Sequence, residues 1–489
     1  MTIFLAANYN ESGKSMKESL TPAVFPYQRT GREPSLRQKV TVRSRSDLTA
    51  AIIETSGGGE DEDMIKILFA LELGGNLGHL NKQLMVARTM RRRGYHCLFA
   101  VRDVSAASIH FKGENIEILQ APYYCTPEGV AEVLSSYVDI LRVNGFDSAI
   151  LLQQLMESWH AIFEAVAPEI VVIDYSPLAV LAAKLKGIPL LRLDNGFDIP
   201  PDEAPFPSFR PWLGIPVELM LEKEQKLLEN INEVCRGSGS PPFRTLQEVL
   251  ATDMDLLTTV PELDSYPRRR FGRYIGPLFN ISDGSYVAWP DEDDPRVFVY
   301  LRPFNGLEIV LRELAERSLS VIAVIPGIAP ELVGRYSGER FQINENPVRL
   351  GGILNKMDLA VTYGGHGFAN ICILQGIPMI AIPPMIEQLM TANNIERLGA
   401  GLGVAQDRVE TLFATALGKI LTEPSFRDSA TALANKYAGY DQDKVLENIA
   451  DTIEGIMCRK RAVSLKHSYG HSLPLSCLPG APAELLPYQ

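Results

Sequence analysis

The stretch TYGGHGFANICILQGIPMIAIPPMIEQLMTANNIERLGAGLG, which runs from Thr362 to Gly403, decides the fold of this chain. It continues an apolar strand into a turn at Gly364-Gly365, and a helix follows the turn. Such a turn brings bare backbone N–H groups and the positive end of a helix up to a phosphate. Gly376 to Pro378 then lead into a second strand, and Glu387-Gln388 lie on the next loop. Because ligands of open α/β sheets bind at the carboxyl ends of strands, the stretch predicts a site for a phosphate-containing ligand.

Two successive sets of alternating strands and helices make up most of the chain, and they predict an α/β protein with two doubly wound parallel sheets. The first set has predicted strands at 64–70, 96–101, 170–174 and 188–193, and predicted helices at 80–93, 128–143, 147–166 and 177–186. The second set has predicted strands at 297–301, 320–325, 359–363 and 379–382, and predicted helices at 306–317 and 367–375. The segment 199–216 is rich in proline and aromatic residues and is predicted to be a loop.

The predicted domain boundaries follow from this alternation. Residues 1–63 are polar and lack sustained periodicity, which predicts a disordered leader. The break between the domains is predicted within 280–295, so that the first domain takes residues 64–285 and the second takes residues 286–457. Residues 458–489 contain proline and serine and are predicted to form a flexible tail.

The composition is that of an ordinary globular protein, with 46% apolar and 22% charged residues among 489. The net charge of -12 argues against a nucleic-acid partner, because phosphate backbones need a basic surface. The six cysteines form no CxxC pair and no carboxylate cluster stands out, so no metal is predicted. There is neither a spanning apolar run nor a signal-peptide pattern, which predicts a cytoplasmic protein. The basic run Arg91-Arg92-Arg93 is interpreted as a charged helix end, with peripheral membrane contact left open.

The spacing within this deciding stretch resembles the donor-binding signature of nucleotide-sugar glycosyltransferases of family 1, which include UDP-, macrolide and flavonoid glycosyltransferases. The resemblance implies the GT-B fold, in which two Rossmann-like domains face each other across a cleft. It implies that backbone groups of Gly364, Gly365 and Gly367 lie against the diphosphate of the donor, and that Glu387 and Gln388 bind its sugar hydroxyls. The nucleoside-diphosphate sugar is then a co-substrate, and no cofactor is expected.

Four positions of the stretch depart from the family pattern. Tyr363 stands where the family has a histidine that contacts the diphosphate. Phe368 replaces a small hydroxyl residue, Ile371 replaces the acid that binds the ribose, and Thr391 replaces an asparagine. These changes indicate weaker binding of an ordinary nucleotide, or a different donor.

Two basic residues are candidates for the missing phosphate contacts. Arg302 directly follows a predicted strand, and a guanidinium binds phosphate in a bidentate manner; an ordinary ion pair at the strand end is the alternative. His366 is three positions from the family's histidine. It is a candidate phosphate contact, with a loop or helix-capping role as the alternative.

His79 and Asp174 are the predicted catalytic pair of the first domain. His79 lies in the turn where the family places its general base, and Lys82 occupies the position of the family's proline. A base is needed because an acceptor hydroxyl is a poor nucleophile until it loses its proton. Asp174 ends a strand where the resembling plant enzymes carry an aspartate that hydrogen-bonds the base. The alternative is a helix-capping histidine and a strand-end aspartate without a catalytic role.

Three aromatic residues of the 199–216 loop, Phe206, Phe209 and Trp212, are candidates for an apolar acceptor site, with packing beneath the loop as the alternative. The whole pattern predicts an inverting glycosyltransferase that moves a sugar from a UDP- or dTDP-type donor to a hydroxyl of a small-molecule or lipid-like acceptor. Two alternatives are a non-catalytic GT-B partner protein with a degenerate donor site and a sugar-nucleotide epimerase.

Overall fold

The computed structural model describes residues 64–73, 77–124, 134–266 and 272–469; for Leu77 and for 463–469 it describes the backbone only. The predictions for 1–63 and for 470–489 therefore lie outside the described residues. The chain divides into two compact units. The described part of the first unit comprises residues 64–259, 272–278 and 441–469, and that of the second comprises 260–266 and Phe279–Tyr440.

The first unit contains a sheet of parallel strands in the order β3-β2-β1-β4-β5-β6-β7. Its strands are β1 (Lys66–Leu71), β2 (His96–Val101), β3 (Glu117–Gln120), β4 (Ile170–Ile173), β5 (Leu190–Asp194), β6 (Met254–Leu257) and β7 (Arg273–Tyr274). The central strands β1 and β4 are paired from Ile67 opposite Ile170 to Ala70 opposite Ile173. All of these paired residues are buried, as expected for a parallel sheet covered on both faces.

The helices of the first unit cover both faces of this sheet. In chain order they are α1 (Leu77–Arg92), α2 (Val104–His110), α3 (Tyr137–Leu141), α4 (Ala149–Val166), α5 (Pro177–Lys186), α6 (Val217–Gly237) and α7 (Leu246–Leu250). Of the predicted helix at 128–143, residues 128–133 lie outside the described residues, and the α-helix found within 134–143 is α3. Ser136 is extended, and a π-helical segment from Arg142 to Phe146 follows α3, since Gly145 has a φ of +103° that an α-helix cannot continue through.

The second unit repeats the architecture with a parallel sheet in the order β10-β9-β8-β11-β12-β13. Its strands are β8 (Arg296–Tyr300), β9 (Ser320–Val324), β10 (Phe341–Asn344), β11 (Leu359–Thr362), β12 (Met379–Ala381) and β13 (Gly401–Gly403). Its helices are α8 (Leu307–Ala315), α9 (Pro330–Tyr336), α10 (His366–Gln375), α11 (Ile386–Arg397), α12 (Val409–Thr422) and α13 (Pro424–Lys436). Apolar layers cover both faces of the sheet, which confirms the predicted doubly wound α/β class.

The last helix, α14 (Gln442–Tyr469), belongs to the first unit rather than to the second. Its apolar side chains, among them Ile449, Ile453 and Ile456, are buried in the same core cluster as Phe69 of β1. Arg93, at the end of α1, strengthens this packing with ion pairs to three acids of the helix: Glu447, Asp451 and Glu454. Alternation of strands and helices could not reveal this return, because α14 follows a complete second set.

The structure therefore corrects three of the predicted boundaries. Residues 441–457 belong to the first unit, where their apolar side chains complete its core. Residues 260–266 and 279–285 belong to the second unit, where Val260 and Leu263 join the core and Ser285 pairs with Val348 in an isolated bridge. Residues 458–469 continue α14 as a helix instead of forming a flexible tail.

Candidate active site

Acidic residues end or directly follow three neighbouring strands at the carboxyl edge of the first sheet. Glu72 follows β1, Asp174 follows β4, and Asp194 is the last residue of β5. All three side chains are buried. This edge is where open α/β sheets bind ligands, so the acids lie in the part of the unit that is suited to chemistry.

The structure brings the two residues of the predicted catalytic pair together. His79, in the first turn of α1, places its Nδ1 atom 3.0 Å from Oδ1 of Asp174. Lys82 lies three residues further along α1 and therefore on the same face, and its Nζ atom is 3.1 Å from Oδ2 of Asp174. One carboxylate thus holds an imidazole on one oxygen and an ammonium group on the other.

Burial and neighbouring charges act on Asp174 in opposite directions. Burial raises the pKa of its carboxyl group above the ordinary value, although the charge of Lys82 and the hydrogen bond from His79 oppose this rise. Burial also opposes ionisation of Lys82, but Asp174 and Asp194 outweigh it and raise the pKa of the ammonium group. The arrangement favours a charged lysine beside a carboxylate that orients His79.

The glycine turn of the second unit follows β11 at the carboxyl edge of the second sheet. Gly364 has a φ of +80°, a region that favours glycine, and its N–H group donates to Oγ1 of Thr362 at 3.3 Å. Gly365 precedes the first residue of α10. A side chain at Gly365 would clash, because a Cβ atom there would lie 2.7 Å from the ring of Tyr363. The sequence therefore places the N–H groups of the first turn of α10 at this edge, as predicted.

Glu387 and Gln388 lie in the first turn of α11, so the prediction that they lie on a loop is wrong; the loop after β12 ends at the helix N-cap, Met385. The side chain of Gln388 is only 3% exposed, and none of the described residues hydrogen-bonds to its Oε1 atom. Its Nε2 atom lies 3.5 Å from Oε2 of Glu387. A buried acceptor without a donor costs about 1–3 kcal/mol, which a hydroxyl group of a bound ligand would offset.

Comparisons with known proteins show what this chain is similar to. Residues 309–450 match the family model "Erythromycin biosynthesis protein CIII-like, C-terminal domain". A PGL/p-HBAD biosynthesis glycosyltransferase of Mycobacterium tuberculosis is 25% identical over 416 residues, which are 77% of this chain and 90% of that protein. The 4'-demethylrebeccamycin synthase of Lentzea aerocolonigenes is 23% identical over 425 residues, 78% of this chain and 97% of that one. The solved structure of CalG4, the calicheamicin glycosyltransferase, aligns with a TM-score of 0.60 at 17% identity, covering 81% of this chain and 99% of that one.

This chain has the fold of the GT-B glycosyltransferases, and the named relatives that it matches are glycosyltransferases. The family model covers α8 to the first part of α14, and so includes the glycine turn and the pair Glu387-Gln388. At 77% and 78% of this chain, the regions aligned with the two relatives are longer than the second unit and so extend into the first. The resemblance predicted from the spacing of the deciding stretch is thereby confirmed.

The structure shows how the second unit accommodates the departures from the family pattern. Phe368 and Ile371 are buried in the core of the second unit, where Phe368 packs against Phe298 with ring centroids 5.4 Å apart. The ring of Tyr363 packs edge-on against Tyr300 at 5.3 Å. Tyr363 and Phe368, at positions that are polar in the family, are thus part of an aromatic cluster. The pKa of the Tyr363 hydroxyl is raised, mainly by burial. The hydroxyl therefore remains a neutral hydrogen-bonding group.

Of the two basic candidates, Arg302 is exposed and His366 is buried. The guanidinium carbon of Arg302 lies 6.0 Å from the centroid of the Tyr363 ring, which places the charge beside the glycine turn. The Nδ1 atom of His366 lies 3.4 Å from Oγ1 of Thr391 on α11. The phosphate role of each stays a prediction, and the exposure of Arg302 makes it the more accessible of the two.

The three acceptor candidates differ in their surroundings. Phe206 and Phe209 are only 1% and 3% exposed, so their rings are packing residues of the first unit. Phe206 meets Tyr137 at 6.4 Å, and Phe209 stacks on Phe197 at 5.1 Å. Trp212 is 53% exposed. Contact with an acceptor stays a prediction, for which Trp212 offers the most accessible surface.

Tyr175 lies near both this aromatic packing and the predicted catalytic pair. The sequence interpretation did not anticipate this position. Its φ of +49° is unusual for a bulky residue and is typical of strained, functional turns. The Tyr175 ring lies 6.3 Å from the His79 ring, with the two planes 28° apart, and meets Phe197 at 6.1 Å. The strained turn therefore places an aromatic face beside the imidazole.

Glu72 is a further site residue that the sequence interpretation missed. Its carboxylate accepts hydrogen bonds from the N–H groups of Leu178 at 3.0 Å and Ala179 at 2.6 Å, at the start of α5. Its own N–H group donates to Oγ of Ser176 at 2.9 Å. Glu72 thus fixes the turn that carries Asp174. A signal was present, because Glu72 follows an apolar strand just as Asp174 does.

His79, Asp174 and Asp194 also present three ligand-type atoms within 4.8 Å of one another. Such a group can hold a cation, but the Lys82 ammonium group already lies against Asp174 and acts electrostatically on Asp194. The absence of a metal from the reaction stays a prediction. In the part of the chain that the structure describes, no helix is both long and apolar enough to span a bilayer.

Proposed function

We propose that this glycosyltransferase moves a sugar, with inversion, from a UDP- or dTDP-type sugar to a hydroxyl group of a small-molecule or lipid-like acceptor. The observation that carries the proposal is the 3.0 Å contact between Nδ1 of His79 and Oδ1 of Asp174. An ionised Asp174 accepts the Nδ1 proton, which leaves the basic lone pair of a neutral imidazole on Nε2. That nitrogen then takes the proton of the acceptor hydroxyl as its oxygen attacks the anomeric carbon.

The donor side of the proposal rests on the second unit. The N–H groups at the start of α10 and the exposed guanidinium of Arg302 supply positive charge for a departing diphosphate. The buried Oε1 atom of Gln388 can accept a hydrogen bond from a sugar hydroxyl, as can the carboxylate of Glu387. Inversion follows from a single attack on the face opposite the leaving group.

The names of relatives support the class of donor and acceptor. A rhamnosyltransferase of PGL/p-HBAD biosynthesis from Mycobacterium bovis is 25% identical over 318 residues, 58% of this chain and 67% of that one. The spinosyn rhamnosyltransferase SpnG was solved with thymidine diphosphate (TM-score 0.55, 15% identity, covering 75% of this chain and 95% of that chain) and also with spinosyn aglycone. The thymidine diphosphate of that structure supports a dTDP-type donor, and its aglycone supports a small-molecule acceptor.

The test begins with binding. Calorimetry with UDP-, dTDP- and GDP-sugars should show binding of at least one uridine or thymidine donor, and absence of binding to every donor would contradict the proposal. Transfer to a panel of phenolic and lipid-linked hydroxyl acceptors is then followed by mass spectrometry. NMR of the product should show an inverted anomeric configuration. Turnover of the donor to an isomer without any acceptor would instead indicate an epimerase.

A further inference from the structure

Lys82 lies on α1, three residues after His79. It is a buried lysine at the position where the family has a proline. Lys82 is only 6% exposed, and its Nζ atom lies 3.1 Å from Oδ2 of Asp174. His79 contacts the other oxygen of the same carboxylate. A lysine is rarely buried unless it is paired, so this ion pair is a built feature of the turn.

The charges around His79 come from three elements besides α1. The turn after β4 contributes Asp174, and β5 contributes Asp194 and Arg192. The loop after β5 contributes Asp198, and its burial beside Asp194 raises the pKa of its carboxyl group well above the ordinary range.

Arg192 is occupied elsewhere. Its Nε atom lies 3.5 Å from Oδ1 of Asp255, and its amino groups donate to the backbone oxygens of Asp198 and Leu250. Lys82 therefore pairs directly with Asp174 and acts electrostatically on Asp194, on which Arg192 also acts. Without it, the imidazole of His79 would face two buried negative charges.

We propose that Lys82 is a positioning residue of the reaction, whose ammonium group keeps the Asp174 carboxylate charged and fixed while preventing His79 from being held in its protonated form. This inference rests on the proposed function of His79 as the base. A base must be neutral at working pH, and two uncompensated carboxylates beside an imidazole would stabilise the imidazolium instead. The lysine offsets that effect without donating to His79 itself.

The first experiment follows the titration of His79 by NMR in the full chain with isotope-labelled histidine, and the His79→Gln variant assigns the signal among the seven histidines. In Lys82→Met, the titration of the pair should move upward by about one pH unit, because a cation has been removed from its side. The pKa should rise whether the proton binds His79 or Asp174, because removing a cation favours the protonated form of either group. Lys82→Arg keeps the charge and should titrate close to the wild type.

A matched control is Lys223→Met, which removes a lysine that lies 2.8 Å from another buried aspartate, Asp139. This variant should leave the titration of His79 unchanged. A shift of less than about 0.2 units in Lys82→Met, or an equal shift in Lys82→Arg, would overturn the proposal.

Two further measurements test the proposal independently of the titration of His79 in the variants. If Lys82→Met does not fold, the side-chain ammonium signal of Lys82 in the wild type decides: it should persist throughout the titration of His79, and its loss below about pH 9 would overturn the proposal. In the folded variant, the acid limb of the pH profile of kcat/KM should move upward with the NMR titration. Because the titration needs no turnover, a wild type that transfers no sugar refutes the proposed function while the charge effect of Lys82 is still measured.

Discussion

The imidazole of His79 and the carboxylate of Asp174 meet at 3.0 Å although 95 positions separate them in the sequence. They meet because His79 starts the helix after β1, and Asp174 ends the strand that pairs directly with β1. Asp174 is buried and also binds Lys82, so its position is set by two partners. A carboxylate held in this way can fix both the orientation and the tautomer of the histidine.

Replacing the proposed base should stop transfer without changing donor binding. We expect His79→Gln to lower kcat by about 10²- to 10⁴-fold, since general-base assistance contributes about that much. The donor dissociation constant, measured by calorimetry, should stay within about twofold, because the donor-binding residues lie in the other unit. His160→Gln, which alters a half-buried histidine on α4, is the control and should retain full activity. Turnover of His79→Gln within a few-fold of the wild type would exclude His79 as the base.

Replacing its partner should damage both catalysis and stability. Asp174→Asn removes the charge that sets the tautomer of His79, and we expect kcat to fall by at least about 10²-fold. It also breaks the buried ion pair with Lys82, which should cost about 3–5 kcal/mol of unfolding free energy. Asp139→Asn, which breaks a comparable pair with Lys223, should lose stability but keep its kcat. If the two variants lost activity equally, the effect would be structural and not specific to the base.

The parts of this site that the sequence predicts are those with a local pattern. Alternation and glycine spacing predicted both sheets and the turn at Gly364, and strand ends pointed to Asp174. The ion pair of Lys82 was missed because it depends on the facing of α1 toward β4, which is a tertiary property. The placement of α14 was missed for the same reason, since its apolar face fits the first core only in three dimensions.

Arg302 should contribute to donor binding if it replaces the family's histidine as a phosphate contact. A hydrogen bond to a charged group is worth about 1.5–3 kcal/mol, so Arg302→Met should raise the donor KM about 10- to 100-fold. The effect should shrink at high salt, because the guanidinium is exposed. Arg312→Met removes an exposed arginine from α8 and should bind the donor as the wild type does. An unchanged KM for Arg302→Met would assign Arg302 to the alternative role at a strand end.

A side chain at Gly364 should be unfavourable, because the backbone conformation of Gly364 and its close approach to Gln388 both oppose it. Its φ of +80° is strained for alanine, and a Cβ atom would lie 3.1 Å from the backbone oxygen and 3.3 Å from the Cβ of Gln388. We expect Gly364→Ala to displace Gln388 and to weaken donor binding at least about tenfold, with about 1–2 kcal/mol lost in stability. Gly418→Ala, where a Cβ meets nothing within 4 Å, should have neither effect. Calorimetry and urea denaturation measure the two quantities, and donor binding equal to the wild type would show that Gln388 is not displaced or not needed.

The stability of the first unit should depend on pH through Glu72. Burial, which outweighs the two backbone hydrogen bonds, raises the pKa of Glu72 from 4.5 to about 8. The folded state therefore binds a proton that the unfolded state has released, and the stability from Glu72 is lost as pH rises from about 4.5 to 8. The expected slope is at most about 1.4 kcal/mol per pH unit.

Glu72→Gln isolates this effect, because the amide has the shape of the carboxyl group but does not titrate. The unfolding free energy of the wild type minus that of Glu72→Gln, from urea denaturation between pH 5 and 9, should fall with rising pH and then level off. Glu157→Gln, on the exposed side of α4, should show no such trend relative to the wild type. A difference that stayed flat or rose with pH would mean that Glu72 is ionised throughout. The hydrogen bonds from the N–H groups of Leu178 and Ala179 would then outweigh burial.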